Sequence, residues 1–138
     1  MASKHRNGPA IGGALALAVF LALSLPPASH AGEPEVEAAR AAQHAGFAAE
    51  AANPGLVHAH LQHAINCLVG PDGEAFDKAQ ANPCKGLGRG AIPDAPDEVT
   101  RHRYELALER AKAGLVAMDL EDARRNAAAV ARILRKED

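Results

Sequence analysis

The stretch PGLVHAHLQHAINCLVGP, residues 54–71, predicts an apolar helix with turn-forming residues at both ends. At about 100° per residue, its apolar side chains fall on one wide arc of a helix. The members of that arc are Leu56, Val57, Leu61, Ala64, Ile65, Cys67 and Leu68. Because proline cannot continue a helix, Gly70-Pro71 should end the element. We therefore predict a helix at about 56–69.

Three more helices are predicted on either side of this one. Their apolar residues recur at steps of three and four, and no segment shows the two-residue alternation of a strand. Asp97 and Asp119 are expected to cap the third and fourth helices. The predicted bounds are about 35–52, 98–117 and 120–136.

A weak internal repeat indicates how the helices are paired. HAGF at 44–47 matches KAGL at 112–115, and each match is followed by a tight turn and another helix. The sequence therefore predicts an all-α protein, a four-helix up-and-down bundle made of two helical hairpins. A long loop at 70–97, either irregular throughout or with a short helix at 74–81, would join the hairpins.

The chain contains two cysteines, Cys67 and Cys84. In an exported protein the expected outcome is one disulfide, which would tether the long loop to the end of the second helix. A pair of thiolate metal ligands and a redox couple are the alternatives. Since the spacing does not match a CxxC motif, the sequence favours the structural bridge.

The N-terminus has the order of a secretory signal peptide. A basic start at 4–6 precedes an apolar run at 10–25, two prolines, and small residues at Ser29 and Ala31. An uncleaved anchor is the alternative, but a spanning helix needs about 20 apolar residues, more than this run offers. We predict a signal peptide at 1–31, a single helical domain at 32–138, no stable membrane anchor after cleavage, and a periplasmic or secreted location.

The charge of the cleaved chain argues against nucleic acid as a partner. Loss of Lys4 and Arg6 reduces the basic residues from 15 to 13, against 17 acidic residues, for a net charge of −4. Nucleic-acid phosphates require clustered lysine and arginine. No basic stripe of that kind is present.

Histidines are the strongest candidates for chemistry. His60 and His63 lie about one turn apart on the second helix, and the hairpin would bring His44 to a similar height. If the third helix runs back beside the second, His102 reaches that level too. Imidazoles converging from several helices are typical of zinc or copper sites in bundles. The alternative is that these histidines are only surface or core residues.

Catalytic motifs are not recognisable, so we predict a protein that is not an enzyme, with a histidine acid or base left open. The glycine-rich segment 86–90 lacks the flanking strand and helix of a phosphate-binding loop. A second hypothesis is a non-catalytic structural or interaction module. It would present helix faces or the loop 70–97 to another exported protein, through an exposed apolar patch near Leu87 and Ile92.

Two resemblances support these expectations. Gln43-His44-Ala45 and Gln62-His63-Ala64 resemble the short, alanine-rich, histidine-bearing repeats of small periplasmic metal-binding helical proteins. That likeness implies metal binding, at low capacity because the second hairpin has few histidines. The segment from His60 to Asp94 is similar to an uncharacterised group of exported bacterial helical-bundle proteins, which implies a shared fold.

Overall fold

The structure is a computed structural model and describes residues 1–2, 8 and 32–135. Over residues 32–135 it contains four α-helices and no strand. The helices are α1 (Pro34–Glu50), α2 (Pro54–Val69), α3 (Glu98–Leu115) and α4 (Leu120–Arg135). The prediction of an all-α four-helix bundle is confirmed. Most of the predicted signal peptide (residues 3–7 and 9–31) and the last predicted helical residue, Lys136, lie outside the described residues.

Sequential helices are neighbours in the bundle. Short turns join α1 to α2 and α3 to α4, and the two hairpins meet where α1 packs on α4 and α2 packs on α3. Helices α1 and α3 are therefore diagonal to each other. This arrangement decides which histidines can meet.

The core is built from side chains of unequal size. The buried apolar residues of α1 are all alanines, whereas α2 contributes Val57, Leu61, Ile65 and Leu68. Tyr104 of α3 is 1% exposed and is the largest fully buried side chain in the described residues. A face of alanines lets neighbouring helices approach closely, so polar groups on their borders can also come into contact.

The turn between α1 and α2 differs from the prediction by a few residues. Ala51 is already extended, and α2 begins at Pro54 instead of near Leu56. The Asn53 side chain accepts a hydrogen bond from the Leu56 N–H at 3.0 Å, and proline occupies the first helical turn, which suits its fixed φ. Asn53 and Pro54 thus start a helix as well as ending one.

The ends of the second hairpin follow the capping rules more closely. Asp97 accepts from the Thr100 N–H at 2.7 Å, and Asp119 accepts from the Asp122 N–H at 2.8 Å, as predicted. Helix α3 ends at Leu115 instead of about residue 117. These contacts satisfy N–H groups that would otherwise lack partners in the first turn.

The loop 70–97 contains turns and bends without a helix. The predicted disulfide is present between Cys67 and Cys84, whose Cα atoms are 5.2 Å apart. Beside it, the buried Asn66 donates to the carbonyls of Asp77 and Ala81 and accepts from the Asp77 N–H. The irregular loop is therefore fixed to the end of α2 by a covalent bond and by an amide side chain.

The disulfide also bears on the compartment. Bridges of this kind form and persist in oxidising, extracellular environments. Among the described helices, none combines the length and the apolar character that crossing a bilayer requires. Cleavage of residues 1–31 concerns the part of the chain that is not described and stays a prediction.

Candidate metal centre

Three of the predicted histidines lie together on the hairpin α1–α2. His44 is on α1, and His60 and His63 are on α2, about one turn apart. One ring nitrogen of each lies within 4.8 Å of one ring nitrogen of the other two. We call these three residues the histidine cluster. Each of its members is partly buried at the border between core and solvent.

The distances in the histidine cluster are close to those of a metal site. His44 Nδ1 and His60 Nδ1 are 3.4 Å apart, and the His44 and His63 ring centroids are separated by 5.1 Å. With zinc–nitrogen bonds of about 2.0–2.1 Å, two nitrogens of a tetrahedral site lie about 3.3–3.4 Å apart. The first pair already matches that edge, and the three histidines together could hold an ion.

One nitrogen of the cluster has no hydrogen-bond partner. His63 Nδ1 is buried and neither accepts nor donates a hydrogen bond. An unpaired buried polar atom costs about 1–3 kcal/mol, and such atoms are rare in folded proteins. A metal ion bound to the cluster would change the cost of this unpaired atom, because metal binding fixes the tautomer and the orientation of each ring.

The electrostatic environment favours neutral imidazoles. Burial lowers the pKa of His44, and the nearby His63, His60 and Arg40 lower it further. Burial also lowers the pKa of His63, with a smaller effect from His60. Since only a deprotonated ring nitrogen can bind a metal, both residues are ready to act as ligands near neutral pH.

Phe47 belongs to the same surface and was not predicted as part of the site. Its ring centroid lies 5.6 Å from that of His44 and 5.5 Å from that of His60. The signal in the sequence was its position three residues after His44, on the same face of α1. The Phe47 ring is therefore in contact with two of the three imidazoles.

His102, the fourth predicted ligand, is not brought to the cluster. It is 70% exposed by side chain, and its Nδ1 lies 3.8 Å from a carboxylate oxygen of Glu105 on the same helix. The expectation assumed that α3 runs back beside α2 and thereby brings His102 to the level of the other histidines. In the bundle α3 is diagonal to α1, and His102 points away from it into solvent.

The loop does not offer the two surfaces considered from sequence. Arg89 in the glycine-rich segment pairs with Asp94 at 2.7 Å, so its charge is already used within the loop. Leu87 and Ile92 are half-buried and pack against the core instead of forming an exposed apolar patch. A partner protein stays a prediction.

No protein-family model, curated protein or solved structure matches this chain. The predicted likeness to exported helical-bundle proteins and to small periplasmic metal-binding proteins is neither supported nor opposed by these comparisons. The geometry of the histidine cluster is therefore the feature that points to a function.

Proposed function

We propose that the protein binds one transition-metal ion, Zn²⁺ or Cu²⁺, through His44, His60 and His63. The observation that supports this most is the buried, unpartnered Nδ1 of His63 beside two imidazoles at ligand spacing. Surface histidines without a role would point into water, as His58 and His102 do. A fold that holds three imidazoles together, with a bond between His44 and His60 and none to the buried Nδ1 of His63, is suited to an ion.

Three nitrogen ligands leave a position for water or for a further ligand. Sites of that type are open, whereas structural zinc sites are usually closed by four protein ligands. For the same nitrogen donors, affinity rises from Zn²⁺ to Cu²⁺ in the general order of divalent metals. We therefore propose a reversible, low-capacity binder that prefers Cu²⁺ when both ions are equally available.

We further infer that the protein acts after export, with residues 1–31 removed. The disulfide supports this inference, because cytosolic thiols are kept reduced. The intact mass of the protein recovered from the periplasm of a bacterial host tests it. A chain that begins at Gly32 is expected, and a retained N-terminus would contradict the inference.

Binding is tested on the mature chain by native mass spectrometry and by isothermal titration with Zn²⁺ and Cu²⁺. We expect one ion per chain. Loss of an outer residue that supports a ligand typically costs about 10–100-fold in affinity, so His44→Ala, His60→Ala and His63→Ala should each cost at least that much.

The chain supplies its own controls. His58 lies on α2 two residues before His60 but is exposed, and His102 is exposed on α3. His58→Ala and His102→Ala should leave the affinity for both metals unchanged. Equal affinities in all five variants would overturn the proposal, and so would binding that depends on His102.

A further inference from the structure

Glu37 is a buried acid at the start of α1. Glu37 is only 1% exposed, and its Oε1 accepts a hydrogen bond from the Gly90 N–H at 3.1 Å. The second oxygen, Oε2, is buried and has no hydrogen-bond partner. A carboxylate held this way is costly unless a positive group is close by.

The backbone of Gly32 lies in the same region, beside Asp94 and Gly88. A Cβ placed on Gly32 would collide with the Asp94 carboxylate. A Cβ placed on Gly88 would lie 2.8 Å from the Gly32 Cα and 3.2 Å from Glu37 Oε1. Gly32 therefore lies against the Asp94 carboxylate, with no room for a side chain, and Gly88 lies close to both Gly32 and Glu37.

The neighbouring residue fixes this position. The Glu33 N–H donates to the Leu87 carbonyl at 3.0 Å, which ties the segment before α1 to the loop. The segment thus lies across the loop between Leu87 and Asp94. Its backbone cannot move away from the two carboxyl groups without losing that bond.

The local charge is unbalanced. Asp94 has one basic partner, Arg89, which is largely exposed, and Glu33 adds another negative charge. Burial, with smaller contributions from Asp94 and Glu33, raises the pKa of Glu37 to about 7, although the bond from Gly90 opposes the rise. On the side of Gly32 no basic side chain contacts Glu37 among the described residues. Asp94 thus has a basic partner, whereas the buried Oε2 of Glu37 has no partner among the described residues.

We propose that the α-amino group of Gly32, created by cleavage after Ala31, is the counter-ion of Glu37 and Asp94. Hydrolysis of the Ala31–Gly32 peptide bond consumes one water, leaves the carboxylate on Ala31, and gives Gly32 an amine. With an ordinary pKa of about 8, that amine is protonated near neutral pH. In the uncleaved chain the same nitrogen is an uncharged amide, so removal of the signal peptide completes the ion pair.

The consequence is a maturation step built into the fold. The new ammonium group would join the start of α1 to the loop at 87–94, which the disulfide and Asn66 already fix to α2. The uncleaved chain would lack this link and would hold the loop less firmly. The proposal depends on the cleavage site and is independent of metal binding.

The test compares the mature chain beginning at Gly32 with the same chain acetylated at its amine. Acetylation removes the charge and reproduces the amide of the uncleaved chain. At pH 7, urea unfolding should give an unfolding equilibrium constant about tenfold larger for the acetylated chain, since a hydrogen bond to a charged group is worth about that much. Equal stabilities would overturn the proposal.

Two variants test whether Glu37 is the residue responsible for the difference between the free and acetylated chains. Glu37→Gln keeps the size and the acceptor for Gly90, and it should remove most of the difference between the free and acetylated chains. Glu35→Gln changes an exposed acid in the same helical turn and should leave the difference unchanged. An equal effect of the two variants would indicate a general helix-charge effect and would contradict the pairing.

A direct measurement serves if Glu37→Gln fails to fold. Carboxyl carbon NMR of the otherwise unchanged protein follows the titration of Glu37. Its pKa should be lower in the free-amine chain than in the acetylated chain, and the amine should titrate above its ordinary value. Identical Glu37 titrations in the two chains would overturn the proposal, as would an exported protein whose intact mass places its first residue elsewhere than Gly32.

Discussion

Replacement of Asn66 by alanine is expected to lower the stability of the bundle strongly. The side chain of Asn66 is fully buried and makes four hydrogen bonds. The bond from Gln62 is the least important, because that amide also donates to the Ala75 carbonyl at 2.9 Å. The other three satisfy the N–H and carbonyl of Asp77 and the carbonyl of Ala81.

The magnitude follows from those three backbone groups. A typical hydrogen bond contributes about 1 kcal/mol to stability, so their loss should cost about 3 kcal/mol. Asp77 is half-buried and Ala81 is exposed, so water can reach the freed groups and the larger penalty for buried unpaired atoms is avoided. For a domain of this size, 3 kcal/mol corresponds to about 12–24 °C in the melting temperature.

Urea unfolding followed by circular dichroism measures this cost on the oxidised chain. Asn82→Ala is the matched control, because Asn82 lies in the same loop and its side chain accepts only one bond, from the Cys84 N–H at 3.0 Å. We expect a cost of about 1 kcal/mol or less for that variant. If Asn66→Ala costs no more than Asn82→Ala, the amide does not hold the loop as argued.

Three further predictions concern other contacts. Cys67→Ala/Cys84→Ala should cost about 3 kcal/mol in urea unfolding, because the bridge restricts the unfolded chain, and an unchanged midpoint would contradict this. The pKa values of His44 and His63 are lowered in the fold, so the free energy of unfolding should fall as pH drops below about 6.5. This part of the pH dependence should be missing in a His44→Gln/His63→Gln variant. Arg124 donates through Nε to the carbonyl at the end of α1 at 2.9 Å, so Arg124→Ala should cost about 1–2 kcal/mol by thermal unfolding, with partial recovery in Arg124→Lys.

The sequence was sufficient for the fold because its signals are local. Proline and glycine pairs separate the helices, Asp97 and Asp119 cap them, and the apolar stripes have one period. Three members of the histidine cluster were also predictable, because a short turn fixes the register of a helical hairpin. His102 could not be placed, since its position depends on which helices are diagonal in the bundle. That choice is made by packing between hairpins and leaves no local pattern.

The buried polar residues were missed for a related reason. Glu37 precedes Ala41 and Ala45 at steps of four and so lies on the buried stripe of α1. Asn66 lies among apolar residues of α2, but its four bonds depend on a loop whose course has no sequence rule. In both cases the burial could be inferred from periodicity, whereas the partner could not.

The two ends of the hairpin α1–α2 are fixed by different contacts, and the histidine cluster lies between them. At the turn, Arg124 of α4 binds the Ala51 carbonyl; at the other end, Arg40 donates to the Pro83 carbonyl at 3.1 Å and the disulfide joins the same part of the loop to α2. Because both ends are held, α1 cannot slide along α2, and His44 keeps its height relative to the other imidazoles. A site assembled from two rigid helices loses little entropy when an ion binds. The loop contacts therefore support the proposed metal site without touching it.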